Sequence, residues 1–255
     1  MNDQPQPVSS MPIWAQGLAG RRAVVTGGSK GLGRAIAIAL DATGASVTVV
    51  ARDADGLATL ARDYPSIETW QYDVSDPAFS VELAERPVDV LVNNAGTNHP
   101  MPMVDVDIAT LDRMLLLNVR STYLASQGAV RSMLRGGAGG AIVNITSQMG
   151  HVGSPRRTVY CMTKHAVEGL TKAMAVELAP HGIRVNSVAP TFIETPMTKP
   201  MLDDPQFGQF VTSMIPLGHI GQPDDVAAAV VFLASPAAAM VTGTSLLVDG
   251  GWTAQ

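Results

Sequence analysis

Short apolar, β-branched runs alternate along this chain with longer helix-forming segments, and that order restricts the possible folds more than any other feature. The runs are Arg21–Thr26, Ser46–Ala51, Glu68–Tyr72, Val88–Asn93, Ala141–Thr146, Arg184–Val188 and Ser245–Val248. Several are apolar on both parities, as in Val88-Asp89-Val90-Leu91-Val92. A strand wetted on one face alternates; a strand covered on both faces need not. Helical patterns over Gly33–Thr43, Ala54–Tyr64, Ile108–Leu134, Tyr160–His181 and Pro223–Ser235 fall between the runs. Repeated strand–helix–strand order predicts an α/β fold, a doubly wound parallel sheet with helices on both faces.

A length of 255 residues suits one such domain, and no repeat or interdomain linker interrupts it. Residues 1–17 read as an N-terminal arm, residues 18–255 as a single domain, and residues 195–221 as a proline-broken flap. The stretch from Asp73 to Pro87 has room for a brief helix. With 46% hydrophobic and 15% charged residues, the chain has the composition of a compact protein. A net charge of -5 argues against nucleic acid as the main partner, so any anion site must be local. Cys161 is the only cysteine, which points to a reducing, cytoplasmic setting without a disulfide framework. Met1–Ser10 lacks the order of a signal peptide, and Ala227–Val241 is broken by Ser235-Pro236, so no membrane span is expected.

The run Thr26-Gly27-Gly28-Ser29-Lys30-Gly31-Leu32-Gly33 links the first strand to the first helix. Glycine lets backbone turn tightly and approach a ligand, and a helix start offers free N–H groups to a pyrophosphate. An ordinary glycine-rich turn is the rival reading; the position between first strand and first helix favours a dinucleotide. The second strand ends in Ala51-Arg52, with no acid at the place where one would hold the ribose of NAD. Arg52 and Lys30 can grip a 2′-phosphate, which favours NADP(H) with NAD(H) possible. Asp53 is the reservation, since it can accept from a ribose or pair with Arg52. Asp73-Val74 closes the third strand, where a carboxylate can accept from an adenine amino group or cap a helix. Asn94-Ala95-Gly96, after the fourth strand, can line the crevice or simply turn the chain.

Tyr160 and Lys164 stand four apart on one helix face. A neighbouring ammonium favours phenolate, so the tyrosine is expected to be acidified and to exchange a proton with substrate. Ser147, after the fifth strand, can polarise a carbonyl. Asn118 is a poor helix former inside a helical pattern, which suggests a bound relay water or a kink. Each signal alone is weak. His99 and His151 lie near these loops and can touch substrate, but they show no ligand spacing, so no metal site is expected. Cys161 reads as core; Met101, Met103, Met149, Met197 and Met201 line a pocket or belong to the core.

The ordered set of glycine loop, Asn-Asn-Ala-Gly, Asn118, Ser147, Tyr160 and Lys164 closely resembles the short-chain dehydrogenase/reductase family over about Leu18 to Trp252. The resemblance implies a seven-stranded sheet in the order 3-2-1-4-5-6-7 and a homotetramer, with Val241–Gly251 as last strand and subunit contact. It implies that Tyr160 is the general acid/base, that Lys164 binds the nicotinamide ribose and lowers the tyrosine pKa, that Ser147 orients the carbonyl and that Asn118 holds a relay water. Tyr160 and Lys164 thereby also touch cofactor, as do Pro190, the Ile193 backbone and Thr195 around the carboxamide. One departure stands out: Pro190 is followed by Thr191, where the family has glycine. The expected function is reversible hydride transfer between NADPH and a small ketone or aldehyde. An NAD-dependent alcohol or polyol dehydrogenase and a non-catalytic dinucleotide sensor are the alternatives.

Overall fold

The computed structural model describes residues 17–255. The expected N-terminal arm therefore lies, up to residue 16, outside the described residues. Seven strands pair wholly in parallel: β1 (Arg22–Thr26), β2 (Ser46–Ala51), β3 (Glu68–Gln71), β4 (Val90–Asn93), β5 (Gly140–Ile145), β6 (Ile183–Pro190) and β7 (Ser245–Val248). Their order is β3-β2-β1-β4-β5-β6-β7, as the resemblance implied.

Both parities of the strands are apolar because each faces a helical layer. Val24, Val50, Leu91 and Ile142 pack with α3 (Pro77–Glu85), α5 (Ser121–Gly136) and α6 (Thr158–Leu178) through Phe79, Leu83, Met133 and Leu178. Val25, Val49, Val92 and Val143 go to the other face. There they meet Ile36 and Leu40 of α1 (Gly31–Ala42), Leu60 of α2 (Ala54–Asp63), and Val230 and Leu233 of α9 (Pro223–Ala234). The chain winds outward from β1 in both directions, so the carboxyl ends of β1 and β4 frame the crevice of a doubly wound sheet.

The brief helix expected after β3 is α3, started by Asp76, whose carboxylate accepts from the Ala78 N–H, and by Pro77 at its first turn. The helix expected as one piece over Ile108–Leu134 is interrupted. It runs as α4 (Ile108–Leu115), then a π turn (Leu116–Arg120), then α5. Asn118 sits buried inside the π turn, a local distortion that periodicity alone does not reveal. The proline-rich stretch before α9 carries α7 (Lys199–Leu202) and α8 (Pro205–Ser213). Its two ends are held together by the Ile193–Gly221 bridge.

Candidate active site

A cleft of about 910 Å³ runs along the carboxyl edge of the sheet. All of the expected cofactor residues line it, as do Ser147, Tyr160 and Lys164. At its floor, Gly27 and Gly31 adopt left-handed backbone, with φ of 67° and 57°. Gly33 is needed for closeness: a Cβ there would stand 2.4 Å from Asn94 Nδ2 and 2.5 Å from the Gly27 carbonyl oxygen. No side chain caps α1, and its first turn holds no acid, so its N–H groups remain for an anion. The donors and the glycine cradle fit a dinucleotide pyrophosphate.

Gly33→Ala is expected to lower both Tm and NADPH affinity. Alanine gains about 1 kcal/mol of helix propensity, but forced contact with backbone costs about 1–3 kcal/mol. Thermal unfolding and a cofactor titration of the variant check this; a Tm at or above wild type contradicts it.

Asn94 is less a cofactor ligand than expected. Its amide donates to the carbonyl oxygens of Thr26 (3.0 Å) and Gly27 (2.9 Å), stapling the glycine loop to the end of β4. Thr26, which sequence reading passed over, accepts from the backbone N–H groups of Asn94 and Ala95 at 3.1 and 3.2 Å. A threonine ending a buried strand carries no signal of that task.

At the adenosine end, Arg52 and Lys30 are both largely exposed. Arg52 Nη1 lies 3.5 Å from Asp73, and Lys30 Nζ lies 3.8 Å from Asp53. Asp53 pairs with Lys30 rather than Arg52, and its other oxygen accepts from the Gly56 N–H at 3.1 Å to cap α2. Asp73 caps no helix. Its Oδ1 accepts from the Ser75 N–H and hydroxyl at 2.9 and 2.7 Å. Burial pushes its carboxyl up, but the Ser75 bonds and Arg52 bring it below the usual carboxylate value.

At the other end, α6 presents Tyr160 half-buried and Lys164 buried. The spacing brings them together as expected, but the electrostatics differ. Burial pushes the Tyr160 phenol up to about 12, against a downward pull from the Ser147 hydroxyl and the Arg157 charge. Lys164 is not among the groups that pull it down. Burial draws Lys164 down to about 8, and its ammonium donates to the Ile145 carbonyl at 2.8 Å while standing 5.5 Å from the phenol ring centre. In the chain by itself, desolvation thus outweighs the pull of Ser147 and Arg157 at the phenol, while the Lys164 ammonium is directed at the β5 carbonyl.

Ser147 Oγ accepts from the Met149 N–H at 3.1 Å and lies 3.4 Å from the Pro190 carbonyl. Asn118 lies behind the cleft instead of lining it. Its side chain grips the Thr97 backbone through both groups (2.8 Å each) and donates to Thr163 Oγ1 at 3.1 Å. That fixes the loop after β4. Thr198, unforeseen, donates to the Ile193 carbonyl and accepts from the Thr195 N–H at 3.0 Å, so the carboxamide-end groups are already organised. Thr191 has ordinary backbone, since Arg156 alone among described non-glycine residues has positive φ; glycine's freedom is not required there.

Other residues settle elsewhere. His151 turns to Ser245 (2.9 Å) and Glu168 (3.4 Å), and His99 is exposed. Cys161 and Met201 pack on an apolar cluster of Met149, Phe192, Val211 and Ile215, while Met197 lines the cleft. Among the described residues, no three His, Cys, Asp or Glu side chains gather as metal ligands, and no helix is long and apolar enough to cross a membrane.

A family model described as enoyl-(acyl carrier protein) reductase matches residues 27–253. The chain is 42% identical to L-xylulose reductase of Bos taurus over 239 residues, 93% of this chain and 98% of the relative. It is 39% identical to carbonyl reductase [NADPH] 2 of Sus scrofa over 242 residues, 92% of this chain and 98% of the relative. A crystal structure of a gluconate 5-dehydrogenase from Burkholderia cenocepacia J2315, in complex with NADP and tartrate, superposes with a TM-score of 0.91 at 32% identity, covering 95% of this chain and 99% of that one. With the sheet order, the glycine cradle and the paired Tyr160 and Lys164 on one helix, these matches establish that the chain belongs to the short-chain dehydrogenase/reductase family.

Proposed function

We propose that this protein is an NADPH-dependent carbonyl reductase acting reversibly on a small hydroxylated ketone or aldehyde. The observation that carries this reading is one cleft holding an uncapped glycine-loop helix at one side and Tyr160, Ser147 and Lys164 at the other. The names of the relatives, L-xylulose reductase and an NADPH carbonyl reductase, support the same chemistry.

NADPH supplies the hydride. The glycine loop and the start of α1 hold the pyrophosphate; Arg52 and Lys30 face the 2′-phosphate; Asp73 and Val74 border the adenine. Asn94, Ala95, Gly96, Pro190, Ile193 and Thr195 border the remainder. Ser147 orients the substrate oxygen, and Tyr160 donates the proton to it. Lys164 supplies positive charge and ribose contact. Asn118 acts as a positioning group through the loop after β4; its role with a relay water is part of the proposal. We read residues 18–255 as one domain with residues 195–221 as its flap, working as a cytoplasmic homotetramer. The exposed apolar side chains of Tyr123, Leu134 and Val176 support assembly.

A carbonyl panel followed by NADPH absorbance tests the activity; the absence of turnover with every ketose, ketone and aldehyde would defeat it. The pH profile tests the roles. With its phenol pushed up to about 12, Tyr160 is protonated at neutral pH and ready as an acid. Lys164, drawn down to about 8, is charged below that pH and neutral above it. Reduction is therefore expected to stay level through neutrality and to decline above about pH 8, while alcohol oxidation rises with pH as phenolate forms. Oxidation that falls as pH rises would contradict the assignment.

A further inference from the structure

Glu168 is 5% exposed, a buried carboxylate to which the proposed chemistry gives no task. It follows Tyr160 and Lys164 on α6 at successive spacings of four, so the three side chains form one stripe along the helix. That stripe meets three consecutive residues where β5 ends. The Ser147 hydroxyl acts on the Tyr160 phenol, the Lys164 ammonium donates to the Ile145 carbonyl at 2.8 Å, and the Thr146 hydroxyl donates to Glu168 Oε1 at 2.5 Å. Glu168 therefore holds the residue that lies between the partners of Lys164 and Tyr160.

A buried carboxylate needs donors, and Glu168 has a cage of them. Ser187 of β6 donates to Oε2 at 2.8 Å, and Ser245 of β7 donates to Oε1 at 3.0 Å. His151 Nε2 stands 3.4 Å from Oε1 and 2.9 Å from the Ser245 oxygen. Ser245 gives its one proton to Glu168, so His151 is the donor to Ser245. The carboxylate is engaged by these hydroxyls and not by the ammonium. It acts on Lys164 across a short buried gap, where charges are weakly screened.

No other anion faces Lys164. The β5 end offers a carbonyl and hydroxyls, β6 and β7 offer the Ser187 and Ser245 hydroxyls, and the π turn offers the neutral Asn118. Arg157 and His151 bring cationic groups, and Arg184 of β6 is turned to the end of α9. Asp112, Arg113 and Arg120 on α4 and the π turn are exposed, as are His165, Lys172 and Glu177 on α6. Lys30, Arg52, Asp53 and Asp73 lie at the adenosine end.

We propose that Glu168 is a positioning residue, the buried counter-charge that keeps the Lys164 ammonium charged where it meets cofactor and substrate. Its catalytic consequence rests on the reductase reading above. Burial draws Lys164 down to about 8, and Glu168 opposes that fall. Removal of the carboxylate therefore makes Lys164 lose its proton at lower pH.

Lys164 is the one buried lysine of four, since Lys30, Lys172 and Lys199 are exposed. Carbon-13 labelling at the lysine ε-carbon thus resolves its titration in the ligand-free protein. Wild type is expected to show a midpoint near pH 8. Glu168→Gln keeps the side chain's size and is expected to lower that midpoint by about 1 pH unit. Glu168→Asp loosens the same cage but keeps the charge, and its midpoint is expected to stay near wild type. An unchanged midpoint in Glu168→Gln, or a fall of about 1 pH unit in Glu168→Asp, would overturn the proposal; the Asp variant decides should the Gln variant not fold. In Glu168→Gln the decline of ketone reduction with pH is expected to move down with the midpoint, and turnover whose decline ignores the moved midpoint would overturn the positioning role. If the midpoint moves but no carbonyl is reduced by wild type, the counter-charge stands and the reductase reading falls.

Discussion

Tyr160→Phe is expected to lower kcat for ketone reduction by about 10²–10⁴-fold, the usual worth of a general acid, while NADPH affinity changes little. The substitution removes one oxygen. The ring remains to pack on the Met149, Phe192, Val211 and Ile215 cluster, so the fold is expected to survive. The lost hydroxyl is the proposed proton donor, a phenol protonated at neutral pH that burial pushes up to about 12. Ser147 remains to polarise a carbonyl, which leaves residual catalysis. Single-turnover rates and a fluorescence titration with NADPH separate the chemical step from binding. Reduction at the wild-type rate would end the assignment of Tyr160, whatever the fate of the cofactor site.

Arg52→Asp is expected to cut the NADPH-over-NADH ratio of kcat/KM by about 100-fold, the sum of a lost charge-assisted bond and a new repulsion. The existing partner of Arg52 does not hold it back. The contact to Asp73 at 3.5 Å joins two exposed side chains, and such pairs contribute at most about 1 kcal/mol. A phosphate can therefore displace Asp73 from Arg52 with little loss. Lys30, similarly loose beside Asp53, limits the effect because a second cation remains. The new carboxylate would also stand where a 2′-hydroxyl acceptor serves NAD, so activity with NADH should rise or hold. Steady-state kinetics with both cofactors decide it, and a wild type that strongly prefers NADH would remove the role given to Arg52.

Among the site residues, the legible ones were those whose chemistry is written in residue type and spacing. Glycines between a strand and a helix, a cation in place of an acid after β2, and a tyrosine and lysine one turn apart all declare themselves locally. Their geometry confirms a shared cleft. Thr26, Thr198 and the stapling work of Asn94 were not legible, because their partners lie on other segments. Nor was the interruption at Leu116–Arg120, since a π turn adds a residue without breaking the apolar pattern.

The sequence by itself determined the parallel sheet, through strands apolar on both parities, and the cleft, through residues at the strands' carboxyl ends. Only the tertiary structure decided how the charges behave. Lys164 and Tyr160 share a helix face by spacing, yet burial dominates their proton affinities, opposed by Ser147 and Arg157 at the phenol and by Glu168 at the ammonium. Folding buries Arg157 with the Met201 sulfur as its side-chain hydrogen-bond acceptor and leaves its Nη1 unpartnered. Spacing is a property of the chain, whereas desolvation and pairing depend on what the rest of the molecule brings alongside.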